Sequence, residues 1–244
     1  MPSVDMEVEN LTTSYGSFKV SGVSFTLHER DILGLVGRSG SGKSTLLKTL
    51  IGLKGKQSGK VTVLKDGKPV PIGKLLGYSP QENALYPFLT LEENLVTFAS
   101  LYNLPKRLIN QRMESLLARL DLQNCRRKKV VDLSGGMMKR ADIATALIHN
   151  PDVIILDEPF TGLDISLQGF IWDFLVELSE DDRIIIISSH MLNDIQKHCN
   201  QFGLIEGGQY YDTQQLVQTI KKNGGDSLEG FLHRLFSWDM SRER

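Results

Sequence analysis

Met6, Val8 and Asn10, and later Val23, Phe25 and Leu27, alternate with more polar neighbours, and Gly16 and Gly22 punctuate the stretch. A period of two turns one face to a core and the other to solvent, which predicts short antiparallel strands. Ile32-Leu33-Gly34-Leu35-Val36 lacks that alternation and reads as a strand buried on both faces. It runs through a glycine-rich turn into a helix with Leu46, Leu47, Leu50 and Ile51 on one side, ended by Gly52. From Thr90 to Asn150 the period becomes helical. Thr90-Leu91-Glu92-Glu93 has the form of a capping box, and Ile109, Leu116 or Leu117, and Leu120 continue the helical spacing after Pro105. A further helix is expected from Ser134 to just before Pro151. Beyond it, Val153 to Leu156 and Arg183 to Ser189 return to β-branched runs around a helical segment carrying Phe170, Ile171, Phe174 and Leu175. Strand and helix alternation of this kind predicts a parallel α/β sheet. Near the C-terminus Leu228, Phe231, Leu232, Leu235 and Phe236 form an apolar stripe at helical spacing, expected to pack on the chain's own core.

Composition narrows the class. Of 244 residues 41% are hydrophobic and 23% charged, enough apolar side chain for a real core and too much for intrinsic disorder. With 28 Lys+Arg against 29 Asp+Glu the net charge is -1, so no global field favours nucleic acid, and no nucleic-acid partner is expected. Cys125 and Cys199 are far apart without a CxxC pattern, which suits structural thiols in a reducing compartment. No run approaches the ~18 apolar residues that cross a bilayer, and MPSVDMEVEN lacks a basic, then apolar, secretory start. The chain is therefore expected to be intracellular and not to span a membrane itself. Arg126-Arg127-Lys128-Lys129 reads as a solvated basic loop, with lipid headgroups or an acidic partner as the sharper alternative.

Candidate chemistry concentrates in two places. Gly37, Arg38, Ser39, Gly40, Ser41, Gly42, Lys43 and Ser44 fit G-x-x-x-x-G-K-[ST], between a strand and a helix. Glycines let phosphate approach bare N–H groups at a helix N-terminus; Lys43 would reach the β- and γ-phosphates, and Ser44 would give its hydroxyl to Mg²⁺. Val153-Ile154-Ile155-Leu156-Asp157-Glu158 is an apolar strand ending in two acids, at the sheet edge where α/β proteins bind ligands. Asp157 would hold Mg²⁺, and Glu158 would accept a proton from, or orient, the water attacking the γ-phosphate.

Asp132-Leu133-Ser134-Gly135-Gly136-Met137, just upstream, resembles the LSGGQ signature of ABC-type ATPases, and the order phosphate loop, signature, acidic strand is theirs. The resemblance covers most of the chain. It implies that Tyr15 stacks on adenine, that Gln81 in Tyr78-Ser79-Pro80-Gln81-Glu82 touches Mg²⁺ and the attacking water, that Gly162-Leu163-Asp164 is the D-loop, and that His190 contacts the γ-phosphate. It further implies head-to-tail pairing of two copies, with Ser134 and Gly136 of one facing the phosphate held by Gly37 to Thr45 of the other. Met137 departs from the pattern: its thioether cannot supply the amide hydrogen bonds of glutamine. LSGGMMKRADIA, PQENALYPFLTLEENL and Ser227-Leu228-Glu229-Gly230-Phe231-Leu232 resemble the ABC type 2 exporter group.

The resemblance implies a single domain: a P-loop NTPase core with parallel sheet and an N-terminal antiparallel β subdomain (1–89 and 151–210), an inserted α-helical signature subdomain (90–150) and a C-terminal helical extension (211–244). It implies an ATP-hydrolysing subunit that drives an integral-membrane permease from the inner face of the membrane, with export favoured over import and over a soluble non-transport role. Leu85, Tyr86, Pro87 and Phe88 are candidates for permease contact, with core packing of the helical insert as the alternative.

Overall fold

The computed structural model describes residues 3–16 and 18–222. Strand β1 (Val4–Tyr15) pairs antiparallel with β2 (Phe18–Leu27), Met6 opposite Leu27 and Val8 opposite Phe25, as the alternation predicts. Gly22, expected between elements, instead lies inside β2 at φ 71°, where β2 carries one extra residue against β1. Strand β3 (Ile32–Val36) follows, then α1 (Lys43–Leu50). Periodicity did not reveal β4 (Ser58–Lys65) and β5 (Lys68–Val70), an antiparallel pair added to the outer side of β1.

After β6 (Leu76–Ser79) come α2 (Leu91–Leu101), α3 (Lys106–Arg119) and α4 (Gly135–Leu147). Thr90 caps α2: its hydroxyl accepts from Glu93 N, and its own N–H reaches the Glu93 carboxylate at 2.7 Å. Then β7 (Val153–Asp157), α5 (Ile165–Glu180), β8 (Ile184–Ser189), α6 (Leu192–His198), β9 (Gln201–Glu206), β10 (Gln209–Asp212) and α7 (Thr213–Lys222) complete the described chain. The apolar stripe at 228–236, the segment at Ser227 and most of the C-terminal extension lie outside the described residues.

The strands form one mixed sheet in the order β5-β4-β1-β2-β10-β9-β3-β8-β7-β6. Neighbours are parallel from β9 through β6 and antiparallel among β5, β4, β1 and β2. The two regions join where β10 runs parallel to β2 through a single register pair, Gln209 with Ser21.

The continuous apolar runs are explained by two-sided burial. Val153, Ile155, Ile184 and Ile186 pack with Leu46, Leu47 and Leu50 of α1 on one face. Ile154, Leu156, Ile185 and Ile187 pack on the other with Ile171 and Leu175 of α5 and Ile143 and Leu147 of α4. Such a sheet holds the C-terminal ends of β3, β7 and β8 side by side, Val36 beside Ser189 and Asp157 beside Ser188. Among the described residues no helix is long and apolar enough to cross a membrane.

Candidate active site

The phosphate loop turns from Val36 at the end of β3 to the first residue of α1. Gly42 takes φ 101°, and a Cβ there would lie 2.6 Å from Phe18 Cε1 and Val20 Cγ2, so only glycine fits against β2. Lys43 is 6% exposed and folds back on the loop, donating to Gly37 O at 2.7 Å and Arg38 O at 3.1 Å. Its Nζ also stands 3.3 Å from Glu158 Oε1. Buried Ser41 Oγ meets no hydrogen-bond partner among the described residues.

Asp157 and Glu158 leave β7 in different environments. Asp157 is buried, and its Oδ1 accepts a 2.6 Å hydrogen bond from Ser188 Oγ on β8. The same hydroxyl accepts the Glu158 N–H at 2.9 Å, so Ser188 positions both acids. Glu158 takes φ 50°, in the left-handed region, and this turn carries its carboxylate off the strand. His190 Nδ1 lies 2.9 Å from Glu158 Oε2; the His190 side chain is 59% exposed and that of Glu158 11%. The carboxylate is therefore held between Lys43 on one oxygen and His190 on the other.

A cavity of about 240 Å³ gathers Tyr15, Ser39, Gly40, Gly42, Lys43, Ser44, Thr45, Gln81 and Glu158, together with Phe18, which sequence reasoning missed. Tyr15 is 71% exposed, with Lys54 Nζ 4.2 Å from the centre of its ring.

Ser134, Gly136 and Asp164 are not brought to this cavity. They line another of about 550 Å³, with Met137, Arg140 and Phe170. Ser134 Oγ caps α4 through Met137 N at 3.3 Å, and Asp164 Oδ1 caps α5 through Leu167 N at 2.9 Å. A Cβ on Gly136 would come within 2.4 Å of Leu167 Cδ2, so glycine lets the start of α4 sit on α5; a Cβ on Gly135 would meet open space. The Met137 sulfur lies 3.9 Å from Cys125 Sγ, and the half-buried side chain packs against the helical core at the edge of this cavity. Leu85 is buried in that core, while Tyr86 and Phe88 are exposed. Both cysteines are buried and free. Arg126, from the basic run, forks onto both oxygens of Glu92 at 2.7 and 2.9 Å and also pairs with Glu114, so this residue splices the helices.

The ABC transporter family model matches residues 20–161, a span that holds the phosphate loop, Gln81, the start of α4 and both acids. The chain belongs to the ABC transporter family. Among its relatives, the linearmycin resistance ATP-binding protein LnrL of Bacillus subtilis (strain 168) is 33% identical over 91% of this chain and 73% of its own length. The Nod factor export ATP-binding protein I of Rhizobium meliloti (strain 1021) is 36% identical over 93% of this chain and 72% of its own length. A solved ATP-binding subunit of an ABC transporter superposes with a TM-score of 0.81 at 26% identity, covering 95% of this chain and 99% of that one. This ABC protein is thus an ATP-binding, ATP-hydrolysing subunit of a transporter. Tyr15, Asp164 and His190 fall outside the span matched by the family model, so their placement rests on the geometry above.

Proposed function

We propose that this ATPase drives a separately encoded membrane permease in export, acting at the inner face of the membrane. The observation that supports the chemistry is the meeting of Lys43, Gln81 and Glu158 in one cavity with Tyr15. Tyr15 stacks on adenine and the phosphates lie along Ser39 to Thr45, where backbone N–H groups and the start of α1 attract anions. Lys43 exchanges the carbonyls of Gly37 and Arg38 for the β- and γ-phosphates. Glu158 takes a proton from the attacking water as its oxygen bonds to the γ-phosphorus; the bond to the ADP oxygen breaks and phosphate leaves. His190 orients that carboxylate through Oε2 and faces the γ-phosphate.

The donor set also fits Mg²⁺: Asp157 Oδ2 is a buried oxygen with no hydrogen-bond donor among the described residues, the environment in which a cation offsets an otherwise costly charge. Asp157, Ser44 and Gln81 would hold the ion, which when bound neutralises charge on the β- and γ-oxygens.

Because Ser134, Gly136 and Asp164 line a separate cavity, a second copy in head-to-tail arrangement, offering these residues and Gly135 to the first, completes each site. Exposed Tyr86 and Phe88, a few residues after Gln81, offer the apolar surface for the permease. Export is favoured by the relatives named for Nod factor export and linearmycin resistance. Affinity isolation of the chain from native membranes in mild detergent tests this. A stoichiometric multi-span protein that alters the ATPase rate is expected; recovery with soluble partners alone would overturn the transport assignment.

A further inference from the structure

Two side chains of α4 reach onto the segment that carries Gln81. Asp142 is 1% exposed; its Oδ1 accepts the Ala84 N–H at 2.9 Å, and its Oδ2 accepts the hydroxyl of Ser79. Lys139, one turn earlier, donates from Nζ to Pro80 O at 3.1 Å and Ser79 Oγ at 3.3 Å, and stands 4.0 Å from Asp142 Oδ2. These contacts fall on residues 79, 80 and 84, so the loop between them, with Gln81 in it, is pinned at both ends by one helix. That helix begins at the Ser134–Gly136 signature, with Ser134 as its cap.

Packing alone does not call for this arrangement. Residues 141 to 147 of α4 are all buried, so the helix is enclosed at this level and an uncharged side chain at 142 would be held there without desolvating a carboxylate. Burial pushes the Asp142 carboxyl up and the Lys139 ammonium down from their ordinary values, the cost expected for two charges held out of water. The hydrogen bonds to Ser79, Pro80 and Ala84 are what the pair supplies in return, and they bracket Gln81 between the end of β6 and Ala84.

We propose that Asp142 and Lys139 are positioning residues for ATP hydrolysis, clamping the Gln81 loop to the signature helix so that any movement of that helix is transmitted to Gln81. The inference rests on the reading that Gln81 faces the γ-phosphate side of the cavity, and it adds a rigid link between the two cavities of one chain. Loss of the clamp leaves Tyr15 and the phosphate loop in place, so nucleotide binding persists while Gln81 wanders.

A double-mutant cycle on the full chain tests the clamp. Asp142→Asn, Asp142→Ala and Lys139→Met are each made alone and in a Gln81→Ala background, with turnover, ATP affinity and Tm measured for all. Expected is a loss of about tenfold or more in kcat from each single change, the scale of a misplaced catalytic group, with ATP Kd changed less than about twofold. In the Gln81→Ala background the same changes should cost nothing further in kcat. An equal loss in both backgrounds, or a Kd that rises in step with the fall in kcat, would overturn the clamp and leave Asp142 a packing residue. Gln81→Ala with wild-type turnover would instead overturn the reading on which it rests. Should Asp142→Ala not fold, Ser79→Ala removes the hydroxyl shared by Asp142 and Lys139 and completes the same cycle.

Discussion

Ser188→Ala deletes one hydroxyl that serves both acids of the site. Ser188 is fully buried, donating to Asp157 Oδ1 at 2.6 Å and accepting from Glu158 N at 2.9 Å. The first contact is charge-assisted and its loss strands a buried carboxylate oxygen, a cost of about 1.5–3 kcal/mol. The second costs less, because Glu158 N also lies 3.2 Å from Ser188 O and keeps that partner. The void left by one oxygen is too small to add much. A net loss of about 2–3 kcal/mol corresponds, for a chain of this length, to a Tm lowered by about 4–12 °C. Turnover should fall about ten- to hundredfold, because neither acid keeps its bearing on the phosphates. Calorimetry of the nucleotide-free protein and steady-state phosphate release check the two halves separately. A Tm within about 1 °C of wild type together with unchanged turnover would refute the reasoning, since that shift is under about half a kcal/mol.

Glu158→Gln keeps the side-chain shape but not the base, and phosphate release should drop by about 10²- to 10⁴-fold while ATP binding, followed by equilibrium titration, is retained; normal turnover would remove Glu158 from the proton transfer. Thr90→Ala breaks the capping box of α2 and should lower stability by about 1 kcal/mol, read as a fall in Tm with unaltered turnover per folded molecule. His149, stacked on Tyr102 at 3.6 Å and bonded through Nε2 to Leu76 O at 2.8 Å, is pushed down to about 4 by burial. It is neutral in the fold while the unfolded chain takes up a proton near the ordinary value of 6.5, so its contribution is complete above 6.5 and is lost as pH falls toward 4. His149→Gln should flatten the fall in unfolding free energy across that window in urea titrations; an unchanged slope would sink the assignment.

What the sequence displays is what is local. The phosphate loop is one contiguous run bracketed by a strand and a helix, and the apolar strand ending in Asp157 and Glu158 announces itself in the same way. Thr90 and Ser134 are visible as caps because capping is settled within four residues. Strand β4 escapes because its first three residues, Ser58 to Lys60, are exposed and show no period; β9 and β10 form a local hairpin across Gly207-Gly208, but they take their places in the sheet from β3 and β2, far back along the chain. Ser188 reads as an ordinary strand residue until β8 is laid beside β7, and Asp142 as a polar helix position until α4 meets the end of β6. Phe18 reads as strand patterning, since its place beside the phosphate loop depends on the turn that brings β2 over Gly42. The separation of Ser134, Gly136 and Asp164 from the cavity at Lys43 is likewise a fact of tertiary folding, with no trace in spacing.

The seam between β2 and β10 carries a mechanical consequence. Besides apolar packing beneath α1, the Thr13–Thr49 hydrogen bond at 2.7 Å and the Lys65–Asp152 ion pair at 2.8 Å, the outer antiparallel strands and the parallel core are stitched along the sheet by the Gln209–Ser21 pair and the hydrogen bonds around it, Ser21 N to Gly208 O at 3.0 Å among them. Tyr15 and Phe18 belong to the outer side of that seam, while Lys43, Gln81 and Glu158 belong to the core. Placed as proposed, with adenine on Tyr15 and phosphates on the loop, a nucleotide would be a removable strap between two sections of one sheet. Amide exchange along β1 and β2 should then slow when the strap is in place, and the rigidity of the outer section would follow nucleotide occupancy.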